Sequence, residues 1–552
     1  MRTSWRQLQN FVASAPSPTQ MLVLMLTLLA VRTSALGEVL DIDLGRQLFV
    51  DDWLVESTDG LVRTYNRPTK QFDAPVLWPQ TDLEREVDPQ RPFRFAPMAG
   101  ATSGGLWWDP TRRVFRLWYE AGWMKHLCYA ESKDGVAWTR PDCGVVPGTN
   151  RVLTDTLLDS WTVFPDYAAK DPYANWRLMV SLAGGVTDNR LYVSDDGLGW
   201  RRIADAGQSG DRSTMFYDPF RGKWVFSLRG GGPGKGRNRS YWASATFGGE
   251  TCRWNFPSKN DPGRYPELLR PEPWLATDDG DMPDPTVANR RPQLYNVDAV
   301  AYESILLGMF EILHPAKKDN TTCAAAGLPK ITDLHFAYSR DGKTFARPDR
   351  TAAIPASRWG SGKWDTGYLS PMGGICVIKD ERLWFYYTAM RGDARETTPR
   401  QDDPAVGWRR NGMHFNGSIG VATLRRDGFV GLVADGEGTV TTRPLKFSGR
   451  KLFVNAECRF GSLAAEVLDE SGEVLSGYGR ADCTALELRD ETKAELAWRG
   501  GDLASLAGRA VRFRFHLACG TLYAFWVSRD SSGHSGGYVA AGGPDYPGLR
   551  DL

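Results

Sequence analysis

The sequence predicts an all-β protein, a five-bladed β-propeller followed by an antiparallel β-sandwich, on three observations. The pattern Ser-x-Asp-Gly-x-x-aromatic occurs three times, at Ser132–Trp138, Ser194–Trp200 and Ser339–Phe345. The second interval between these copies is somewhat more than twice the first, as expected for a repeat with an insertion. The 58 glycines and 12% aromatic residues suit many short strands joined by tight turns. A β-unit that recurs at this scale is typical of a propeller.

Each copy of the pattern carries the chemistry of a tight turn. Asp-Gly supplies the positive φ of a tight hairpin turn, and we expect the aromatic residue to begin the next strand. The acidic residues of these turns are Asp134, Asp196 and Asp341. Because they sit at repeated outer positions, we expect them to be structural rather than catalytic.

Apolar runs divide the first part of the chain into five strand units, although the pattern leaves four or six units open because terminal strands often share a blade. The third unit has no Asp-Gly turn, and a polar, Pro-rich insertion at roughly 256–292 precedes the fourth. The runs that define the units are Leu106–Pro110 with Phe115–Tyr119; Trp161–Phe164 with Trp176–Val180; Thr214–Pro219 with Lys223–Leu228 and Tyr241–Ala243; Tyr295–Tyr302 with Ile305–Ile312; and Gly374–Ile378 with Leu383–Tyr387 and Gly417–Leu424.

The pattern changes after residue 436. Short alternating or apolar runs, separated by Gly, Asp and Ser turns at a spacing of roughly ten residues, indicate an antiparallel β-sandwich. The sequence therefore predicts the propeller over residues 36–436, the sandwich over 437–530 and a C-terminal tail over 531–552.

The N-terminus has the features of an export signal. Arg2 and Arg6 precede the apolar run Met21–Val31, and the small residues Thr33 and Ala35 fit a signal-peptidase site. The run is too short for a typical membrane span, so residues 1–35 are predicted to be a signal peptide, with an uncleaved anchor as the alternative. We expect the protein to be exported, secreted or periplasmic.

Charge and cysteine patterns exclude several classes of partner and site. With 67 basic and 66 acidic residues and no basic patch, nucleic acid or an anionic membrane is not expected as a partner. The eight cysteines contain no Cys-x-x-Cys pair, and there are only six histidines, so we expect no metal and no cofactor. Disulfides within one unit and buried thiols both remain open for these cysteines.

Carboxylates are the remaining candidates for chemistry. Hydrolysis of a glycosidic bond needs one acid to protonate the leaving oxygen and a second carboxylate to attack or to activate water. Acids at the inner strands of different blades would converge in the central funnel, although each could instead cap a turn or pair with an arginine. The candidates are Asp159, Asp211, Asp298, Glu303 and Asp365, with Arg212, Arg229 and His414 as side chains that could hold sugar hydroxyls.

A propeller followed by a sandwich, with Leu48–Trp53 at its entrance, resembles the exported family-32-like glycoside hydrolases, five-bladed propellers related to families 32, 43 and 68. The resemblance covers about residues 40–545 and includes Asp211–Pro219 and Arg425–Phe429. It implies hydrolysis of fructosides, arabinosides or related glycans. This chain departs from the family at its Trp-Met-Asn-Asp-Pro motif, for which Trp107–Pro110 is the candidate, and at its Arg-Asp-Pro, which is absent.

The sequence thus predicts a glycoside hydrolase acting on an extracellular oligo- or polysaccharide. The expected roles are Glu303 as general acid, the nearest analogue of the family's Glu-Cys acid; Asp211 as nucleophile or base; and Asp298 as orienting group. Asp159, Arg212, Arg229, Asp365 and His414 are expected to bind substrate. A non-catalytic carbohydrate-binding propeller is the alternative, and a sialidase-like protein is a third possibility because its Asp-box turns are similar.

Overall fold

The computed structural model describes residues 38–86, 97–155, 158–182, 187–232, 236–257, 262–284, 291–315, 331–358, 361–390 and 416–552. These residues are almost entirely strands and loops, so the predicted all-β class is confirmed. The predicted signal peptide and His414 lie outside the described residues. No helix in the described ranges is long and apolar enough to cross a membrane.

In the described part of the chain, five short strands and a one-turn helix precede the repeated units. The helix has a capping box, in which Thr81 Oγ1 accepts a hydrogen bond from Glu84 N and the Glu84 carboxylate accepts one from Thr81 N. These elements are β1 (Leu40–Asp41), β2 (Gln47–Leu48), β3 (Val55–Asp59), β4 (Val62–Tyr65), β5 (Thr69–Lys70) and α1 (Asp82–Arg85).

Five groups of antiparallel strands follow, and buried apolar residues fill the space between them. β12 belongs to two groups, because its first half pairs with β11 and its second half with β13. The groups are β6 (Ala99–Asp109), β7 (Val114–Ala121) and β8 (His126–Ser132); β9 (Leu158–Pro165), β10 (Trp176–Leu182) and β11 (Thr187–Ser194); β12 (Arg201–Asp218), β13 (Lys223–Gly232), β14 (Gly236–Ser244) and β15 (Glu272–Pro273); β16 (Gln293–Glu303), β17 (Ile305–His314) and β18 (Ile331–Ser339); β19 (Gly367–Lys379), β20 (Arg382–Met390) and β21 (Ser418–Arg425).

The first strands of successive groups lie next to one another. β6 contacts β9, β9 contacts β12, β12 contacts β16, and β16 contacts β19, which in turn contacts β6. Two of these contacts include parallel pairing, Ser103 with Trp161 and Met372 with Ser103. Each first strand therefore contacts the first strands of two other groups.

The glycines of the three Asp-Gly turns have the predicted positive φ, but the aromatic residue does not begin the next strand. Pairing resumes one residue after it in each copy, with Glu131 opposite Thr139, Val193 opposite Arg201 and Tyr338 opposite Ala346. Gly135, Gly197 and Gly342 have φ values of +80°, +73° and +74°, and each donates its N–H to the serine three residues earlier at 2.9 to 3.0 Å. The turns also join neighbouring groups, since Tyr386 of β20 donates to Gly135 O at 2.8 Å and Trp118 of β7 to Gly197 O at 2.7 Å. Their acids are structural, as expected.

A second hydrophobic core lies in a nine-stranded sheet formed by both ends of the chain. The 17-residue β28 pairs with β25 and then β24 along one edge, and with β22 and β2 along the other. β3 and β4 add to β22, so residues before the five groups also belong to this sheet. The strands after the five groups are β22 (Val430–Thr442), β23 (Leu445–Lys446), β24 (Lys451–Glu457), β25 (Ser462–Leu468), β26 (Leu486–Glu487), β27 (Asp490–Leu496), β28 (Arg512–Ser528) and β29 (Tyr538–Val539). Of these, β23 and β29 lie outside this sheet and the others belong to it.

The C-terminal residues lie across the far ends of three strand groups. β29 pairs with the end of β16, Trp108 N donates to Ala541 O at 2.9 Å, and Ile378 N donates to Gly542 O at 2.8 Å. This segment therefore ties groups one, four and five together at the end opposite to the strand starts. The seven cysteines in the described ranges are free thiols.

Candidate functional site

Side chains from four strand groups meet around Arg212, where the first strands begin and the second strands end. In an antiparallel hairpin these two ends are adjacent, which places Glu120 near the end of β7 and Asp159 at the start of β9 close to the same point. We call this set the Arg212 cluster; its members are Glu120, Trp123, Asp159, Arg212, Tyr295, Glu311 and Tyr368.

Arg212 is the centre of the cluster and is buried at 3% exposure. It has a φ of +60° at the irregular point of β12 between Gly210 and Thr214, a conformation that costs a non-glycine residue about 1–3 kcal/mol. Its Nη2 donates to Tyr368 Oη at 2.7 Å, and its guanidinium lies 5.2 Å from the Tyr368 ring and 5.3 Å from the Trp123 ring. Strained, buried arginines of this kind are typical of functional sites.

A second buried arginine, Arg239, holds the backbone of Arg212. Arg239 is fully buried, and it donates from Nη2 to Arg212 O at 2.7 Å and from Nη1 to Tyr295 O at 3.0 Å. Burial lowers the pKa of Arg239 to about 9, although the negative charge of Asp298 acts to raise it. Arg239 therefore fixes the strand irregularity that directs Arg212 into the cluster.

Two buried carboxyl groups have raised pKa values beside Arg212. Burial raises the pKa of Glu120 to about 8, the Arg212 charge lowers it, and the charge of Asp159 raises it further. Burial also raises the pKa of Asp159, whose Oδ2 accepts a hydrogen bond from Arg212 N at 2.6 Å. Glu120 Oε1 accepts from Met124 N, whereas its Oε2 has no hydrogen-bond partner among the described residues.

Asp211 supplies a third, more accessible carboxylate. Its side chain is 35% exposed and pairs with Arg229 through Oδ1 and Nε at 2.9 Å. The Asp211 charge raises the pKa of Asp159, which shows that the two carboxyl groups interact. Gly210 makes this arrangement possible, because a Cβ there would lie 2.3 Å from Arg229 Cδ. The structure thus brings Asp159, Asp211, Arg212 and Arg229 together.

Asp298 lies deeper between the first strands. Its Oδ2 accepts from Ser103 Oγ at 2.9 Å and from Asn296 Nδ2 at 3.3 Å, and its Oδ1 has no hydrogen-bond partner in the described part of the chain. Burial raises the pKa of Asp298 to about 7, while the Ser103 hydrogen bond and the Arg239 charge lower it. Ser103 has a φ of +83°, so a second strained residue faces this centre.

Glu303 lies away from this centre, in a buried ion network at the end of β16. It accepts hydrogen bonds from Arg426 Nη2 at 3.0 Å, Arg46 N at 3.0 Å and Ser535 Oγ at 2.7 Å. Asp298 and Glu303 are five residues apart on one strand, so they face opposite sides and lie about 16 Å apart. The structure does not bring Glu303 together with Asp211 or Asp298.

Asp365 is also separate from the Arg212 cluster. It is buried in the fifth group, where its Oδ2 lies 2.5 Å from Lys70 Nζ and accepts from Tyr387 Oη at 3.0 Å. His414 lies outside the described residues. No group of three or more His, Cys, Asp or Glu side chains that could hold a metal is found in the described ranges.

Sequence reasoning missed the members of the cluster that come from second strands. Glu120 and Glu311 are the only acids in the largely apolar runs Val114–Ala121 and Ile305–His314, which is the signal that could have identified them. The predicted acids lie on or beside the first strands of their groups. Antiparallel pairing brings the end of each second strand back to the start of its first strand.

The fold is similar to several solved structures at low sequence identity. They include an N-acetylgalactosamine deacetylase from F. plautii in complex with blood group B trisaccharide (14% identity, 67% of this chain and 97% of that chain, TM-score 0.41). A fructofuranosidase from Schwanniomyces occidentalis complexed with fructosylnystose matches 84% of this chain and 97% of its own at 9% identity and a TM-score of 0.34. An endo-arabinase from Bacteroides thetaiotaomicron matches 60% and 97% at 11% identity and a TM-score of 0.34.

These likenesses are distant, with TM-scores below 0.5, and carry no conclusion about the activity of this chain. No family model matches the sequence. No curated protein matches it. The chemistry of the Arg212 cluster is therefore the basis for assigning a function.

Proposed function

We propose that this protein is an exported glycoside hydrolase that cleaves an extracellular glycan at the Arg212 cluster, in the funnel of a closed five-bladed propeller. The contacts from β6 through β9, β12, β16 and β19 back to β6 support the closed propeller. The observation that carries the proposal is that Glu120 and Asp159 lie beside the buried Arg212, while Asp211, which interacts with Asp159, pairs with Arg229.

Glycosidic hydrolysis needs two carboxyl groups in different protonation states. With a pKa of about 8, Glu120 is mostly protonated at neutral pH and can act as the general acid that protonates the leaving oxygen. Asp211, paired with Arg229 and partly exposed, acts as the nucleophile or as the base that activates water. Burial keeps the pKa of Glu120 high and the charge of Asp159 raises it further, while the Arg212 N–H holds Asp159 in place.

The other predicted residues take supporting roles in this proposal. Asp298 orients the strand starts through Ser103 and Asn296 at the base of the funnel. Glu303 is assigned a structural role, because its carboxylate is fully buried between Arg46 and Arg426. Substrate contacts from Asp365 are not part of the proposal, since its carboxylate is held by Lys70 and Tyr387.

The alternative is a carbohydrate-binding propeller without catalysis. The observation that favours it is the depth of the cluster, because Glu120 and Arg212 are 1% and 3% exposed. A site that only binds sugar would use these groups as fixed hydrogen-bonding partners. Measuring sugar release together with glycan binding distinguishes the two functions.

The test measures reducing sugar released from a panel of plant and algal polysaccharides by wild type, Glu120→Gln and Asp211→Asn. Each variant is expected to lose about 10²–10⁴-fold in kcat on the substrate found. Asp51→Asn is the matched control, because Asp51 is 34% exposed and pairs with Arg340 at 2.8 Å, almost as Asp211 pairs with Arg229.

The leaving group then identifies the acid. In an aryl glycoside of a strongly acidic phenol, the leaving group departs as phenolate and needs no proton. Glu120→Gln should therefore cleave this substrate nearly as fast as wild type, whereas Asp211→Asn should not. Equal losses on both substrates would show that Glu120 is not the general acid. Binding of a glycan without release of sugar by wild type would establish the binding protein instead.

A further inference from the structure

A concave, largely apolar cavity of about 400 Å³ lies between the segment before α1 and the fifth strand group. This volume is within the range of about 300–1,000 Å³ that ligand pockets occupy. Trp78, Pro79 and Arg85 line one side, and Trp364 and Asn416 are part of the lining as well. We infer that it is a sugar-binding subsite, in which Trp78 stacks on one ring of a glycan chain; the inference deepens the proposed function and rests on it.

The cavity adjoins the Arg212 cluster. Pro97 lines the cavity, and the next residue, Met98, packs in one apolar cluster with Trp123 and Tyr368, the two rings beside Arg212. The cavity and the Arg212 cluster are therefore connected through Pro97 and the buried side chain of Met98, which is 1% exposed.

Trp78 presents its ring from a fixed backbone. The side chain is 45% exposed, which is unusual for tryptophan. Its carbonyl oxygen accepts from Arg140 Nη2 at 3.0 Å, and the preceding Leu77 pairs with Ile419 of β21. Because the backbone is already ordered, binding a ring on this face costs little additional conformational entropy.

Trp364 forms a second rigid aromatic surface. Its ring stacks on Tyr387 with a centroid separation of 5.8 Å and an interplanar angle of 17°. The Tyr387 hydroxyl is fixed by Asp365, and the absence of a side chain at Gly420 admits the indole, since a Cβ there would lie 2.4 Å from Trp364 Cζ2. The ring is 8% exposed and contributes its remaining surface to the cavity.

The combination of surfaces matches the chemistry of a sugar ring. A pyranose or furanose has apolar C–H faces, which pack on aromatic and proline rings, and a rim of hydroxyl groups that need donors and acceptors. Trp78, Pro75 and Pro79 supply the apolar faces, and the Arg85 guanidinium and Asn416 amide supply polar groups. A carbohydrate chain is therefore the occupant that we assign to the cavity.

The test is isothermal titration of hexasaccharides into the Asp211→Asn protein, which keeps the probe intact, with and without Trp78→Ala. The probes are arabinohexaose, xylohexaose, cellohexaose and laminarihexaose, together with fructosylnystose. Trp78→Ala is expected to weaken the probe that binds by about tenfold or more. Phe72→Ala is the matched control, since Phe72 is 43% exposed in the same segment and does not line the cavity.

The outcomes separate this inference from the proposed function. Binding that depends on Trp78 and not on Phe72 supports the subsite, even if the wild type releases no sugar. If the wild type hydrolyses a glycan and Trp78→Ala leaves the binding affinity unchanged, the subsite is overturned while the proposed glycoside hydrolase stands. Failure of all five probes to bind, or equal loss in the Phe72→Ala control, also overturns it. Unchanged thermal unfolding of Trp78→Ala confirms that the variant is folded.

Discussion

Replacing Glu120 by glutamine should change the pH dependence of stability in a way that only a buried carboxyl group can. Glutamine keeps the size of the side chain and the oxygen that accepts from Met124 N, but it cannot ionise. Burial raises the pKa of Glu120 from 4.5 to about 8 in the folded protein. The folded protein therefore binds a proton that the unfolded chain releases, and the stability of the wild type falls as the pH rises between these values.

The size of the effect follows from the pKa difference. Each pKa unit corresponds to about 1.4 kcal/mol, so a change from 4.5 to about 8 gives an upper limit of roughly 5 kcal/mol. This contribution is fully present below pH 4.5 and is lost as the pH rises through about 8. The glutamine variant should therefore gain stability relative to wild type as the pH increases.

The assay is urea unfolding of both proteins at several pH values from 5 to 9, compared as the difference in the free energy of unfolding. Subtracting the two curves removes the contributions of groups that both proteins share. Glu250→Gln is the control, because it makes the same substitution at an 80% exposed side chain that is paired with an arginine, Arg253. In hydrolysis, the same titration should limit kcat at alkaline pH near about 8.

A flat difference for Glu120→Gln across this range would refute the reasoning. It would mean that Glu120 titrates alike in the folded and unfolded states, through water reaching the carboxyl group or through stronger stabilisation by Arg212. The general-acid assignment would then lose its basis, since an ionised Glu120 has no proton to donate at neutral pH.

Three further predictions concern structural residues. Glu303→Gln should destabilise the protein by about 3–5 kcal/mol, because it leaves two buried arginines without their shared carboxylate, while kcat of the folded enzyme is retained. Gly420→Ala should cost about 1–3 kcal/mol and weaken glycan binding, because its Cβ would displace Trp364. Asp134→Ala should cost about 1–3 kcal/mol without changing kcat, because two turn N–H groups lose their acceptor. Thermal and urea unfolding, together with initial rates per folded molecule, measure all three.

Different results would contradict each of these. If Glu303→Gln kept its melting temperature but lost activity, Glu303 would belong to the reacting groups after all. Full stability and full binding in Gly420→Ala would show that the Trp364 ring can move. A loss of kcat in Asp134→Ala would mean that the outer turn influences the funnel. Asp142→Ala, an exposed turn acid outside the three repeats that accepts from Gly144 and Gly148, is the control for Asp134→Ala.

The sequence by itself determined the local chemistry of this protein. The Asp-Gly turns, the short apolar strands and the change of pattern after about residue 436 depend on residues close together in the chain, so they can be identified without the fold. Asp211 and Arg212 could be identified for the same reason, because they directly precede the apolar run Thr214–Pro219. The sequence prediction assigned Asp298 and Glu303 to one site, whereas their odd separation places the two side chains on opposite faces of β16.

Tertiary structure decided which of these residues meet. Glu120 joins Asp159 only because β7 returns to the start of β6 and the neighbouring group presents β9 beside it. Glu303 became a structural residue through Arg46, Arg426 and Ser535, which come from both ends of the chain. Burial and charge depend on these distant neighbours, so the pKa that distinguishes a catalytic acid from a solvated one is a property of the folded protein alone.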